Sequence, residues 1–347
     1  MKITNSMLSA LLLLAGLVWQ APAAAQAAAQ AGAAAVPASA PASAPASAPT
    51  AAPGPEDVPG TQYSEKGADT CIACHDEESA SATFSPMAIF KGKHAQRGDK
   101  RSPFGVGGLQ CEACHGPGAR HSAKGSKKVL TTNSFKANSF LSVEQRNQPC
   151  LGCHQERSRT GWHAGAHERA VLACSDCHKV HVEHDAVLAK TGQPEVCYAC
   201  HKQQRADFHK SSSHPVRNGQ MGCSDCHNPH GSTTPAMLVK STVNQTCFTC
   251  HADKRGPLLW EHAPVAEDCN LCHSSHGSVR AALLNKSPPM LCQQCHTMAG
   301  HPSAARTAGA LPGGGAGGSI YLVAGSCVNC HSQVHGSNHP AGAKLMR

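Results

Sequence analysis

Large apolar side chains are scarce in this sequence. Phe, Trp and Tyr together make up 4% of its 347 residues, and charged residues only 15%. Aromatic residues dominate the buried area of ordinary cores. With so few, side chains bury too little surface to offset the entropy of ordering roughly 250 residues. Much of the nominal 40% hydrophobic content is alanine near the N-terminus and cysteine elsewhere. A membrane-spanning helix is also missing: the apolar run 7–18 is too short, and no charged stop-transfer flank follows it. No cysteine precedes Cys71, so no lipid anchor is expected on a cleaved N-terminus. These absences argue against an ordinary globular enzyme.

Histidine and cysteine are abundant instead, at 24 and 20 copies, far above common usage. The cysteines form ten C-x-x-C pairs: Cys71 and Cys74, Cys111 and Cys114, Cys150 and Cys153, Cys174 and Cys177, Cys197 and Cys200, Cys223 and Cys226, Cys247 and Cys250, Cys269 and Cys272, Cys292 and Cys295, Cys327 and Cys330. The next residue is always histidine: His75, His115, His154, His178, His201, His227, His251, His273, His296 and His331. A disulfide framework or structural zinc would account for paired cysteines. Neither requires a histidine after every pair. At a histidine content of about 7%, ten accidental matches have a joint probability of order 10⁻¹².

C-x-x-C-H is the attachment signal of c-type haem. The two thiols form thioethers with the porphyrin vinyl groups, and the adjacent imidazole becomes an axial iron ligand. Ten covalently bound haem c groups are therefore expected, and their planar surfaces supply the interior that side chains cannot. Roughly 28 residues per haem are too few for a separate domain around each one. The expected fold is a multihaem cytochrome c. It has mostly irregular loops with short α-helices, wrapped round a closely stacked row of ten haems, and almost no β-sheet.

The pairs repeat as five two-haem units starting near residues 71, 150, 197, 247 and 292. Each unit has one histidine between its two motifs: His94, His167, His214, His262 and His301. Another follows the second motif: His121, His181, His230, His276 and His335. These are the expected distal iron ligands, one for each proximal histidine. His163, His184, His209 and His339 are left over. His163 competes with His167, and His209 with His214; the second of each keeps a spacing to the next cysteine close to that of His262. In CSDCHKVH, CSDCHNPH and CNLCHSSH the histidine three residues beyond the proximal one cannot easily reach the far face of its own haem. It is expected to serve a neighbour. Two imidazoles leave iron no position for substrate. No C-x-x-C-K motif marks an open site, and the methionines fill no repeating slot. An electron-transfer protein is expected, not an enzyme.

Lys2, the apolar run 7–18 and the small residues Ala23, Ala24 and Ala25 read as a cleaved signal peptide over 1–25. Residues 26–62, rich in Ala, Pro and Ser, read as a disordered linker. Residues 63–347 form the expected decahaem domain. The formal charge of +8 is misleading. Counting about twenty propionates and ten irons, the mature chain carries about −3 oxidised and about −13 reduced, so no nucleic-acid partner is expected. Lys91, Lys93, Arg97, Lys100, Arg101, Arg120, Lys124, Lys127 and Lys128 cluster around the second motif. Propionate pairing explains them more simply than a docking patch does.

Longer segments carry a resemblance. HADKRGPLLWEHAPVAEDCNLCHSSHGS (251–278), LCQQCHTMAGHPS and CVNCHSQVHGSNHPAG, with FKGKHA, CEACHGPGARHS and HPVRNGQMGCSDCHNPHGS earlier, resemble the decahaem periplasmic cytochromes of the MtrA/MtoA/PioA/DmsE family. The likeness runs from about residue 63 to the C-terminus, and the Ala/Pro/Ser linker is not part of it. It implies a bis-histidine haem wire in the periplasm, associated with the outer membrane through a β-barrel porin partner. A periplasmic or inner-membrane c-type cytochrome would be the inner electron donor or acceptor. An extracellular multihaem cytochrome or reductase, a mineral or soluble iron would lie outside. The implied role is extracellular metal reduction or Fe(II) oxidation. The alternative is a soluble periplasmic shuttle to a terminal reductase, of the DMSO type or another. The physics agrees with the wire: no single haem bridges a hydrocarbon layer of about 30 Å, but a row can. A loop-rich backbone also needs a barrel between itself and lipid.

Overall fold

The computed structural model describes residues 60–78, 84–123, 133–136, 139–234, 236–297 and 326–347. All of them belong to one compact unit, Pro49–Arg347. The expected signal peptide, the expected linker up to residue 59, His301, Lys124, Lys127 and Lys128 lie outside the described residues. Gln62 was expected in the linker, yet its carbonyl accepts the N–H of Ala119 at 3.2 Å. The packed chain therefore includes residues before 63.

Regular structure is brief because Gly and Pro, 32 and 23 copies, interrupt the chain repeatedly. The longest helix among the described residues, Val143–Leu151, starts at a capping box in which Ser142 and Gln145 satisfy each other's backbone N–H groups. As expected, β-structure among the described residues is limited to isolated bridges. No described helix is long and apolar enough to cross a membrane. The first motif of each unit ends or follows a helix: Ala68–Ile72, Val143–Leu151, Gln193–Tyr198, Val243–Cys247 and Pro288–Cys292. The second motif rests on a single turn, such as Glu112–His115 or Cys174–Cys177. The two-motif repeat is thus a repeat in local structure too.

Side-chain amides tie the two halves of a unit together. Buried Asn147 accepts the N–H of Cys174 at 2.8 Å and donates to the Leu172 carbonyl at 3.3 Å. Asn244, in the same slot two units later, accepts from Cys269 N–H and donates to the Val265 carbonyl, each at 2.8 Å. Gln193 joins Ser224 N–H and the Val187 carbonyl at 2.9 Å each. In the first unit Gln110 accepts from Ala68 N–H at 2.6 Å.

Successive units meet at a repeated His-Gly-Ser segment, 230–232, 276–278 and 335–337. Ser278 and Ser212 exchange both backbone hydrogen bonds, at 2.8 and 2.9 Å, and Ser337 and Trp260 do the same. The glycine is needed for close approach. At Gly231, φ is 114°, and a Cβ would run into the carbonyl oxygen of Gly161.

Apolar packing is as thin as the composition implies. Two small clusters stand out: Ala68, Ile89 and Phe104, and Tyr198, Phe208 and Val216. No described side chain is completely buried. The order in this chain comes from turns, amide ties and the histidine and cysteine groups they hold.

Candidate haem-binding sites

Each C-x-x-C-H motif folds the same way. In all ten, the histidine N–H donates to the carbonyl of the first cysteine at 2.8–3.0 Å, closing one helical turn. Residues i, i+3 and i+4 of such a turn share a face. Both thiols and the imidazole are therefore presented together, as thioether attachment beside an axial ligand requires.

The motifs form one continuous order. Within units, first cysteines are hydrogen-bonded in pairs: Cys71 with Cys111, Cys150 with Cys174, Cys197 with Cys223, Cys247 with Cys269 and Cys292 with Cys327. Between units, cysteines of consecutive motifs are close enough to feel each other's charge: Cys114 with Cys150 and Cys153, Cys177 with Cys197 and Cys200, Cys226 with Cys247 and Cys250, and Cys272 with Cys292 and Cys295. Each motif therefore has the next one in the sequence as a neighbour, from the first to the tenth.

Nine of the ten proximal histidines face one of the expected distal histidines. His75 and His121 are 6.1 Å apart between ring centroids, His115 and His181 6.2 Å, and His154 and His94 6.0 Å. His178 and His230 are 6.1 Å apart, His201 and His167 6.1 Å, and His227 and His276 6.0 Å. His251 and His214 are 6.3 Å apart, His273 and His335 6.1 Å, and His296 and His262 6.0 Å. An iron between two imidazoles, bonded at about 2 Å to each, holds ring centroids about 6 Å apart. The spacing fits a metal between the rings.

The pairing crosses unit boundaries by rule. A histidine between motifs faces the first proximal histidine of the next unit, as His94 faces His154 and His167 faces His201. A histidine after the second motif faces the second proximal histidine of the previous unit, as His230 faces His178. His121 belongs to the first unit, with no earlier one to reach, and turns to His75 of its own unit.

Hydrogen bonds aim the rings. Nδ1 of His167, His214 and His262 donates to the carbonyls of Pro229, Ser275 and Val334 at 2.7–2.9 Å. Each acceptor immediately precedes the histidine that the next unit sends back, so the two exchanged histidines brace each other. Nδ1 of His181 donates to the Pro86 carbonyl at 3.0 Å. Nδ1 of His115, His227, His273 and His331 donates to the carbonyls of Asn133, Ala236, Ala282 and Lys344 at 2.7–3.1 Å. A carbonyl can only accept, so Nδ1 carries the proton and the Nε2 lone pair is free for iron. Burial lowers His94, His115, His154, His201, His276 and His335, and brings His230 down to about 4. The buried rings are neutral, which is the ligating form.

The leftover histidines stand apart. His163 bonds the Glu168 carboxylate and is 75% exposed, and His184 is 89% exposed beside Glu183. His209 is exposed, and His339 accepts the N–H of Ala341. In the basic cluster, Lys91 pairs with Glu183 and Arg101 with Asp99. Inspection of the sequence missed the carbonyls that orient the rings, because a backbone acceptor has no residue signature. It also missed Asp185, whose carboxylate takes the Nδ1 proton of His178 at 2.9 Å. The recurring His-Gly-Ser was the legible sign of where units meet.

Comparison with known proteins matches the C-x-x-C-H motifs. A family model for the doubled CXXCH motif matches residues 214–256 and 262–301, and one for NrfB-like c-type cytochromes matches 111–196. The multiheme cytochrome MtrA of Shewanella baltica is 48% identical over 301 residues, covering 84% of this chain and 87% of that protein. The chain belongs to the MtrA family of multihaem cytochromes. NrfB of Haemophilus influenzae is 27% identical over 39% of this chain and 65% of its own length. The polyheme cytochrome OmcB of Geobacter sulfurreducens is 22% identical over 53% of this chain, but only 25% of its own length. As an MtrA-family cytochrome, the chain binds haem c through its C-x-x-C-H motifs and is an electron-transfer protein rather than an enzyme.

Proposed function

We propose that this cytochrome is a decahaem wire that carries electrons across the outer membrane inside a porin partner. The observation that carries the proposal is the sequential order of the motifs, whose histidines face each other across unit boundaries. All ten motifs hold haem, and each is a one-electron couple when bound. The nine facing pairs are their axial ligands. His301 is kept as the tenth distal ligand on the strength of the sequence repeat alone. The chain holds both axial positions with neutral imidazoles, keeps substrate off the iron, and sets neighbouring groups close enough for hopping. The chain is exported by its signal peptide to the periplasm, where a c-type cytochrome supplies or accepts electrons. On the outer side, an extracellular multihaem cytochrome, a reductase or iron completes the path. A porin is required, because the described chain offers lipid neither a long apolar helix nor a sheet.

Mass spectrometry of the mature protein is expected to show ten haem increments; eight or fewer refutes the count. Proteoliposomes containing the cytochrome and its porin are expected to pass electrons from an external reductant to an enclosed dye. Cytochrome alone is expected not to. Removing an interior haem with Cys197→Ala and Cys200→Ala lengthens one hop and is expected to slow transfer steeply. Equal conduction without the porin, or undiminished conduction without that haem, favours the soluble periplasmic shuttle instead.

A further inference from the structure

The second motif of each unit has its proximal histidine anchored through Nδ1, and one of the five is anchored differently. His115, His227, His273 and His331 donate to backbone carbonyls. His178 donates to a carboxylate oxygen, Oδ2 of Asp185, at 2.9 Å. The Asp185 side chain is only 12% exposed, and its Oδ1 is buried without a hydrogen-bond partner. The His178 N–H is the hydrogen bond that this carboxylate makes, in a position where water competes little.

A carboxylate draws the ring proton more strongly than an amide carbonyl does. The imidazole then gains imidazolate character and donates more charge to the metal opposite, which favours the ferric state. The fixed negative charge acts in the same direction. Arg159 lies near His230 on the other face and opposes it. That residue is common to every variant considered below, so it cancels in their comparison.

We propose that Asp185 is a positioning residue that lowers the reduction potential of the haem held between His178 and His230. That haem becomes an energetic step inside the row rather than one link of a level path. The proposal rests on the axial-ligand reading of the previous subsection, and its test separates the two.

The test compares full-length holoprotein with Asp185→Asn, Asp185→Glu and Asp176→Asn by optical redox titration. Asp176 lies in the same motif, but its carboxylate accepts from Ala173 N–H and not from the ring. Asp185→Asn is expected to make one haem, about a tenth of the absorbance change, about tenfold easier to reduce, a shift of about 59 mV for one electron. Asp185→Glu is expected to move it back toward the starting value. Asp176→Asn is expected to give less than half the shift produced by Asp185→Asn. No shift, a downward shift, or an equal shift from Asp176→Asn overturns the proposal. If Asp185→Asn fails to mature, near-infrared magnetic circular dichroism of the unaltered protein decides. One haem is expected to show a charge-transfer band displaced toward that of an imidazolate ligand, and a single uniform band overturns the proposal. Mass and electron paramagnetic spectra of the same unaltered sample check the underlying reading: missing haems or high-spin iron refute the ligand assignment itself.

Discussion

Replacing His276 with alanine tests the exchange of ligands most directly. His276 sits three residues beyond His273, yet its ring centroid lies 6.0 Å from that of His227, one unit earlier. Loss of the imidazole is therefore expected to leave the haem of the 223–227 motif five-coordinate and to spare the haem of its own motif. One iron in ten, about a tenth of the total, becomes high-spin in the oxidised electron paramagnetic spectrum. The variant also loses the contact between His276 and Phe208, rings 5.5 Å apart, a cost of about 1 kcal/mol. That is too little to unfold the chain, and free imidazole is expected to enter the space and restore the low-spin signal. The affected haem is identified by combination, in the manner of a double-mutant cycle. Added to Cys223→Ala and Cys226→Ala, which remove that haem, His276→Ala is expected to add no high-spin iron. Added to Cys269→Ala and Cys272→Ala, it is expected to act in full. The reverse pattern would show that His276 serves its own motif and would refute the exchange rule.

Three further outcomes follow from the geometry. His184→Ala and His163→Gln are expected to leave all irons low-spin, because neither ring faces another histidine; a high-spin signal from either would place it among the ligands. Gly231→Ala forces a Cβ against the Gly161 carbonyl at a φ of 114°, costing at least about 1–3 kcal/mol. Thermal unfolding of the holoprotein is expected to show the loss. Asn244→Leu leaves the Cys269 N–H and the Val265 carbonyl without their partner, at a cost of about 1–3 kcal/mol. Denaturant unfolding measures that cost, and an unchanged midpoint would mean that the amide ties do not hold a unit's halves together.

The proposed exchange of ligands would account for how so little apolar surface supports so long a chain. Each interior unit sends one histidine forward and one back, so under the proposed ligation no interior unit would complete both its irons alone. Metal ligation then couples neighbours, as packing interfaces do in other repeat proteins. Truncation within the row is expected to leave an iron open in the unit that remains. Removing the last unit, for example, takes away His335, which faces His273, and opens that one iron; the haem of the His296 motif, which His262 faces, leaves with the unit.

Chemistry that depends on covalent spacing was legible in the sequence alone. C-x-x-C-H specifies attachment and one axial ligand because i, i+3 and i+4 share a face of a single turn, whatever surrounds it. The scarcity of aromatic residues, and the recurrence of His94, His167, His214 and His262 between motifs, indicated a row of haems and a supply of second ligands. Which histidine meets which motif was decided only by tertiary structure. His230 and His178 are far apart along the chain, and His230 is closest in sequence to a haem it does not face. Their meeting depends on Gly231 passing against Gly161 and on carbonyls such as that of Pro229, which any residue could supply. Asp185 does carry a side-chain signature, but only the fold of its chain segment brings that carboxylate to His178. A backbone acceptor leaves no trace in the alphabet of side chains, so long-range pairing had to be read from the folded molecule.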